Sequence, residues 1–151
     1  MGNLIRLLEF MIVDQQYALF LDSVDKVVRA VEVTPLPDAP ESVLGVVDVQ
    51  GQVLPVLNIR KRFGIPDKEI DLTDQLIIAR TKRRMVVLLV DRVNGVIEHP
   101  ENEIFDTKKI SPCMEYIEGI VKFEDGLILI HDLDKFLSLD EEKTLENVML
   151  E

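Results

Sequence analysis

The stretch "LGVVDVQGQVLPVLNIRKRFG", residues 44–64, decides how the chain is read. Alternating Val and polar residues from Val43 to Val49 predict a strand with one buried face. Gln50-Gly51 is a tight-turn signal, because glycine accepts the left-handed backbone that a two-residue hairpin requires. Val53 to Leu57 then predicts a return strand. Asn58 stands where a helix N-cap belongs, before a short basic helix from Ile59 to Phe63, and Gly64 suits the left-handed position just past its end. The stretch contains no Ser, Cys, His or Glu, so it is built to hold a shape or present a surface rather than to react.

Further segments read the same way. Strand patterns cover residues 7–13, 17–21, 24–33, 76–81, 85–90, 93–97, 119–123 and 127–131, making ten with the two above. Asp14-Gln15-Gln16 and Asp125-Gly126 supply further turns. Gly45 falls on Gly119, 74 positions later, and hydrophobic class then matches without a gap through Val46 on Ile120, Val53 on Leu127, Val56 on Ile130 and Phe63 on Leu137. Upstream, "FLDSVDKVV" (Phe20 to Val28) lies on "LVDRVNGVI" (Leu89 to Ile97), 69 positions later. Two ordered blocks recurring in constant register indicate a duplicated module. Each half is expected to close as a small barrel of about five strands, with Asp132 capping a second short helix as Asn58 caps the first.

The whole chain, residues 1–151, is expected to form one domain of two β-subdomains followed by an acidic tail, residues 139–151. In that tail Leu145, Val148 and Met149 share a helical stripe. Val, Ile and Leu far outnumber the six Phe and two Tyr, so the core should be aliphatic and sheet-like. The excess of 28 acidic over 17 basic residues opposes binding to nucleic acid or anionic lipid. The single Cys113 leaves no internal disulfide and suits a reducing compartment. Arg6 and Glu9 break the N-terminal apolar run before a signal segment forms, and the longest apolar run, Met85 to Val90, is far short of a membrane span. A cytoplasmic location without membrane insertion is expected.

Candidate chemistry is sparse. His99 and His131 have no partner that would complete a dyad, and no metal-ligand spacing, nucleophile elbow or phosphate loop occurs. Asp132 and Asp134 read as a cap and a solvated charge, and Cys113 has no cation nearer than Lys109. No catalytic residue, cofactor site or metal site is therefore expected. The basic clusters Arg80 to Arg84 and Arg60 to Arg62 read as solvated turn and helix surfaces suited to meeting an acidic protein surface. A domain of this kind works by binding macromolecules along its seams and strand edges. A small ligand held between the modules is the alternative.

The opening stretch resembles the central signature of the CheW family, a Gly-Val-x-Asn-Leu-Arg-Gly segment followed by Pro-Val-x-Asp-Leu. "LDSVDKVV", "TPLPDAP" (Thr34 to Pro40), "VVLLVDRVNGVIE" (Val86 to Glu98) and "YIEGIVKFEDGLILIHDLDKFL" (Tyr116 to Leu137) resemble its flanking blocks, so the likeness covers about residues 7–138. It implies an all-β fold of two similar, intertwined five-stranded SH3-like barrels. It also implies a non-enzymatic adaptor that couples chemoreceptors to the histidine kinase CheA, with one barrel on the kinase regulatory domain and an apolar groove between barrels on the receptor tip. By match, Gly45, Gln50 and Gly51 fall at partner-binding positions, and Val24, Lys26, Val27, Val93 and Val96 fall near the groove. Two positions depart from the pattern: Gln50 stands where the family usually has Arg, and Lys26 where it often has Glu. If those side chains pair, both members of an ion pair have changed together. Altered receptor coupling, or a decoy that occupies the kinase without a receptor, then follows.

Overall fold

The structure, a computed structural model, describes residues 3–106, 116–123 and 126–149. In chain order the elements are β1 (Leu4–Ile12), β2 (Gln15–Phe20), β3 (Val24–Arg29), β4 (Val43–Val49), β5 (Gln52–Leu57), α1 (Ile59–Arg62), β6 (Gln75–Arg80), β7 (Met85–Val90), β8 (Arg92–Pro100), β9 (Ile104–Asp106), β10 (Ile117–Phe123), β11 (Gly126–His131) and α2 (Leu139–Met149).

The strands form two sheets, ordered β8-β1-β2-β11-β10-β9 and β3-β6-β7-β5-β4. The duplication is visible strand by strand, since β3, β6, β7, β5 and β4 hold the places of β8, β1, β2, β11 and β10. Register repeats as well. Val43 faces Leu57 and, after a bulge, Gly45 faces Val56; Ile117 faces His131 and, after a bulge, Gly119 faces Ile130. A parallel pairing recurs at the same place in each sheet, Val56 with Val87 in one and Ile130 with Ala18 in the other.

The modules are nevertheless not two consecutive halves. β3 follows β2 in the chain but joins the sheet of β6, and β8 follows β7 but pairs with β1. The chain therefore crosses between two compact units, Met1–Val24 with Val90–Phe136 (unit one) and Asp25–Leu89 with Leu137–Glu151 (unit two). This is the intertwining that the resemblance implies.

Each unit has its own aliphatic core. In unit two Val47, Leu54, Val56, Leu76, Ile78 and Val87 pack together, and in unit one Leu7, Ala18, Val121, Ile128 and Ile130 do so. Burying each such Leu or Ile contributes about 2 kcal/mol, which is what holds short strands in place. Leu76, Ile77, Ile78 and Ala79 are buried in succession, so β6 is covered on both faces.

Close packing also explains two glycines. A Cβ on Gly45 would stand 2.2 Å from the carbonyl oxygen of Thr34, where Thr34 and Val46 exchange both backbone hydrogen bonds. At the matching Gly119 a Cβ would stand 2.6 Å from Cγ2 of Ile104 on β9.

The local readings need four corrections. The third strand ends at Arg29 rather than at Val33, because the Ala30 amide donates to the Asp74 carbonyl and the chain leaves the sheet before Thr34 returns to bridge Val46. β9 was not anticipated; its three residues are too few for periodicity to register, and pairing with β10 holds them extended. Unit one thus has six strands, not five. Gly126 is a paired strand residue facing Phe123 rather than a turn residue, while Asp125 and Cys113 lie outside the described residues.

The two short helices also differ. The Asn58 side chain accepts from the Lys61 amide at 3.2 Å, and Gly64, at φ 69°, follows the helix with its amide on Lys61 and that of Ile65 on Arg60, a Schellman ending. Asp132 makes no side-chain cap at the 3-10 turn Leu133–Lys135. Its carboxylate stands 4.0 Å from Lys135 Nζ instead.

Candidate protein-docking surface

The β4–β5 turn is exposed and closed by a hydrogen bond. Gln50 and Gly51 take φ 53° and 85°, the left-handed pair of a tight hairpin, and the Gly51 amide donates to Asp48 Oδ1 at 2.8 Å. A left-handed glutamine costs about 1 kcal/mol relative to glycine, so the surrounding hairpin must hold it there. Gln50 Oε1 accepts a hydrogen bond from Lys26 Nζ at 2.7 Å. β3 and β4 stand at opposite ends of the sheet order, and this bond ties the β4–β5 turn to β3. The two departures from the family pattern are therefore partners in space. Together they present an ammonium on a neutral amide.

The other positions expected to touch a partner lie on three strands of the two sheets and in the β4–β5 turn. Val24 and Val27 are half-buried on β3, Gly51 is exposed, and Gly45 is buried with a steric role of its own. Val93 and Val96 lie on β8 in unit one, paired with Phe10 and Leu8, so they share a sheet face with those two buried side chains. Val96 is 52% exposed, and Val93 half-buried.

Each unit also holds polar groups that the sequence reading did not single out. Asn94 is the extra residue where β8 shifts register against β1. It and Gln16 donate to one oxygen of buried Glu9, at 3.3 and 2.8 Å. In unit two, Glu141 accepts from the Ser42 hydroxyl and pairs with Arg62. The Ser138 amide donates to Glu141 at 2.9 Å while the Ser138 hydroxyl accepts from the Glu141 amide, a capping box that starts α2. Burial opposes ionisation of Glu141, but the Ser138, Ser42 and Arg62 contacts outweigh it and hold the carboxyl below its ordinary range. The Ser-x-x-Glu spacing was the available signal. Within the Arg60–Arg62 cluster, Arg60 donates to the Pro66 carbonyl at 2.9 Å, Lys61 stands 3.0 Å from Glu41, and Arg62 takes Glu141. This cluster is engaged by its own chain.

The histidines have separate surroundings. His131 is buried with its ring edge-on to Tyr17 and Phe10, at 4.8 and 5.5 Å between centroids, and burial pushes its pKa down to about 3. His99 Nδ1 stands 3.8 Å from Glu103. Among the described residues no group of three or more His, Cys, Asp or Glu is arranged to hold a metal.

The model of the CheW-like domain matches residues 6–141. The chain belongs to the CheW family. It is 35% identical over 130 residues to the chemotaxis protein CheW of Thermotoga maritima, covering 86% of this chain and 85% of that one. Identity to the CheW of Rhizobium meliloti is 30%, with 89% and 88% covered. The crystal structure of the scaffolding protein TtCheW from Thermoanaerobacter tengcongensis superimposes with a TM-score of 0.82 at 28% identity, covering 93% of this chain and 96% of that one. Fold class and family thus stand as the sequence motifs implied. No described helix is long and apolar enough to cross a membrane.

Proposed function

We propose that this CheW-family chain is a cytoplasmic, non-enzymatic scaffold of chemotaxis-type signalling, joining a chemoreceptor tip to the regulatory domain of a CheA-type histidine kinase. The observation that carries this reading is the match of residues 6–141 to the CheW-like domain, on a fold like that of the scaffolding protein TtCheW; the Lys26–Gln50 bond at 2.7 Å, which joins β3 to the displayed β4–β5 turn, sets its receptor preference. Val24, Val27, Val93 and Val96 are the proposed apolar contacts, and Gly45 and Gly51 are proposed as partner-binding positions that also shape the hairpin.

A Lys–Gln pair carries one positive charge where a Glu–Arg pair carries none and offers a bidentate fork. An amide cannot replace that fork. The chain should therefore bind the kinase domain well and a conventional receptor tip poorly. The test is calorimetric titration of the native chain and of the Lys26→Glu, Gln50→Arg double variant against both partners. The double variant should bind a conventional receptor tip about tenfold more tightly, a gain of about 1.4 kcal/mol, with kinase affinity unchanged. No gain sinks the receptor part of the reading, and absence of kinase binding sinks the scaffold itself. A metabolite that raises the melting temperature while neither partner binds would favour the small-ligand alternative, and kinase binding without any receptor would favour the decoy.

A further inference from the structure

The basic turn joining β6 to β7 is not absorbed by the scaffold reading. Arg80, Lys82, Arg83 and Arg84 crowd five positions of a chain whose net charge is −11. The turn is held in one shape by Thr81, whose hydroxyl accepts from the amides of Arg83 and Arg84, both at 3.1 Å, while its own amide donates to the Arg84 carbonyl at 2.8 Å. Arg84 is committed to α2, with Nε 3.2 Å from Glu142 Oε2. Leu145 is fully buried, so α2 is docked on unit two by packing as well as by charge.

Between the turn and α2 lies a cleft of about 540 Å3 lined by Arg83, Arg84, Leu139, Glu142, Lys143 and Glu146. Arg84 neutralises Glu142, so the charges left facing the cleft are Arg83 and Lys143 against Glu146. Neither the Arg83 nor the Lys143 side chain makes an ion pair among the described residues. Leu139 is 64% exposed at the same place.

We infer that the cleft between the β6–β7 turn and α2 is a docking site for a short acidic protein segment that carries an apolar side chain. The guanidinium of Arg83 takes a carboxylate in a two-pronged hydrogen bond, Lys143 takes a second as a point charge, and Leu139 receives the apolar side chain. A short segment meets mainly this local charge, with Asp140 and Glu146 of α2 in it, because screening over about 8 Å weakens the more distant acidic remainder of the chain. An extended polyanion such as nucleic acid or a bilayer would meet that remainder.

The test uses the full chain and a fluorescein-labelled peptide of Asp and Glu residues around one central Leu, read by fluorescence polarisation at low and physiological salt. Saturable binding that weakens with salt is expected. Arg83→Glu with Lys143→Glu should weaken it at least about tenfold, and Leu139→Ser about threefold. All three positions are exposed, and an unchanged melting temperature will show that the variants remain folded. The inference is overturned if the acidic peptide does not saturate, if the charge-reversed variant binds it equally well, if the Gln/Asn version of the peptide binds as tightly, or if oligo-dT or phosphatidylserine vesicles bind more tightly. None of these outcomes depends on kinase or receptor binding, so this site and the scaffold reading fail separately.

Discussion

The two β-modules share a backbone and differ in what they do with it. At matching places they keep a bulge, a parallel strand pairing, a crowded glycine and a strand-closing hydrogen bond. That bond runs from Asn58 to Ser42 at 2.7 Å in one module and from Asp132 to Tyr116 at 2.8 Å in the other. Side chains at matching places diverge freely. Leu57 is an ordinary core residue of unit two, and its counterpart in unit one is the buried His131. Duplication preserves what the main chain must satisfy, since every buried amide and carbonyl needs a partner, and leaves side-chain chemistry open to change. Unit two received the Lys26–Gln50 pair and α2, and unit one a titratable core.

The largest contrast to probe is at the glycines. Gly45→Ala drives a methyl into the backbone carbonyl of Thr34, whereas Gly119→Ala meets the end of the Ile104 side chain, which can turn away. Urea unfolding should show a loss of about 3 kcal/mol for the first and about 1 kcal/mol for the second. Equal losses would mean that the two crowded strand glycines are not distinguished by what they touch.

The next contrast is acid sensitivity. Burial lowers the pKa of His131 from its ordinary 6.5 to about 3. The unfolded chain therefore takes up a proton below about pH 6.5 that the folded chain refuses. The stability held by the neutral ring is complete above that pH and falls as pH drops toward 3, by at most about 1.4 kcal/mol per unit. His131→Leu, which copies Leu57, should remove this slope between pH 6 and 4.5. A variant as acid-labile as the native chain would place the sensitivity elsewhere.

The smallest contrast concerns the caps. Asn58→Ala loses a side-chain bond to the Lys61 amide and should cost about 1 kcal/mol, while Asp132→Ala, without a cap to lose, should change the melting temperature little. A comparable cost at Asp132 would show a role beyond its weak approach to Lys135.

Much of the first module was legible because its signals are local. Alternating valines, Gln50-Gly51, Asn58 and Gly64 each act within a few residues, and all four behave in the structure as their chemistry suggests. The misreadings differ in cause. Extending the third strand to Val33 was a local inference at a place where a distant partner, Asp74 for Ala30, sets the geometry. Asp132 keeps the main-chain bond that Asn58 also makes, but its carboxylate lies toward Lys135 instead of capping the turn. Of the candidate contacts, Lys26 and Gln50 were identifiable only as unusual residues. Their meeting was not.

The amino-acid sequence alone determined that this is an aliphatic, strand-rich, duplicated chain carrying the CheW signature, since periodicity, turn chemistry and repetition are written in consecutive residues. The tertiary structure alone decided that β3 and β8 trade sheets, that His131 is sealed among aromatic rings, and that Lys26 reaches Gln50. The physical reason is that these depend on which distant surfaces become neighbours when the core excludes water, and burial is a property of the packed chain rather than of any segment of it.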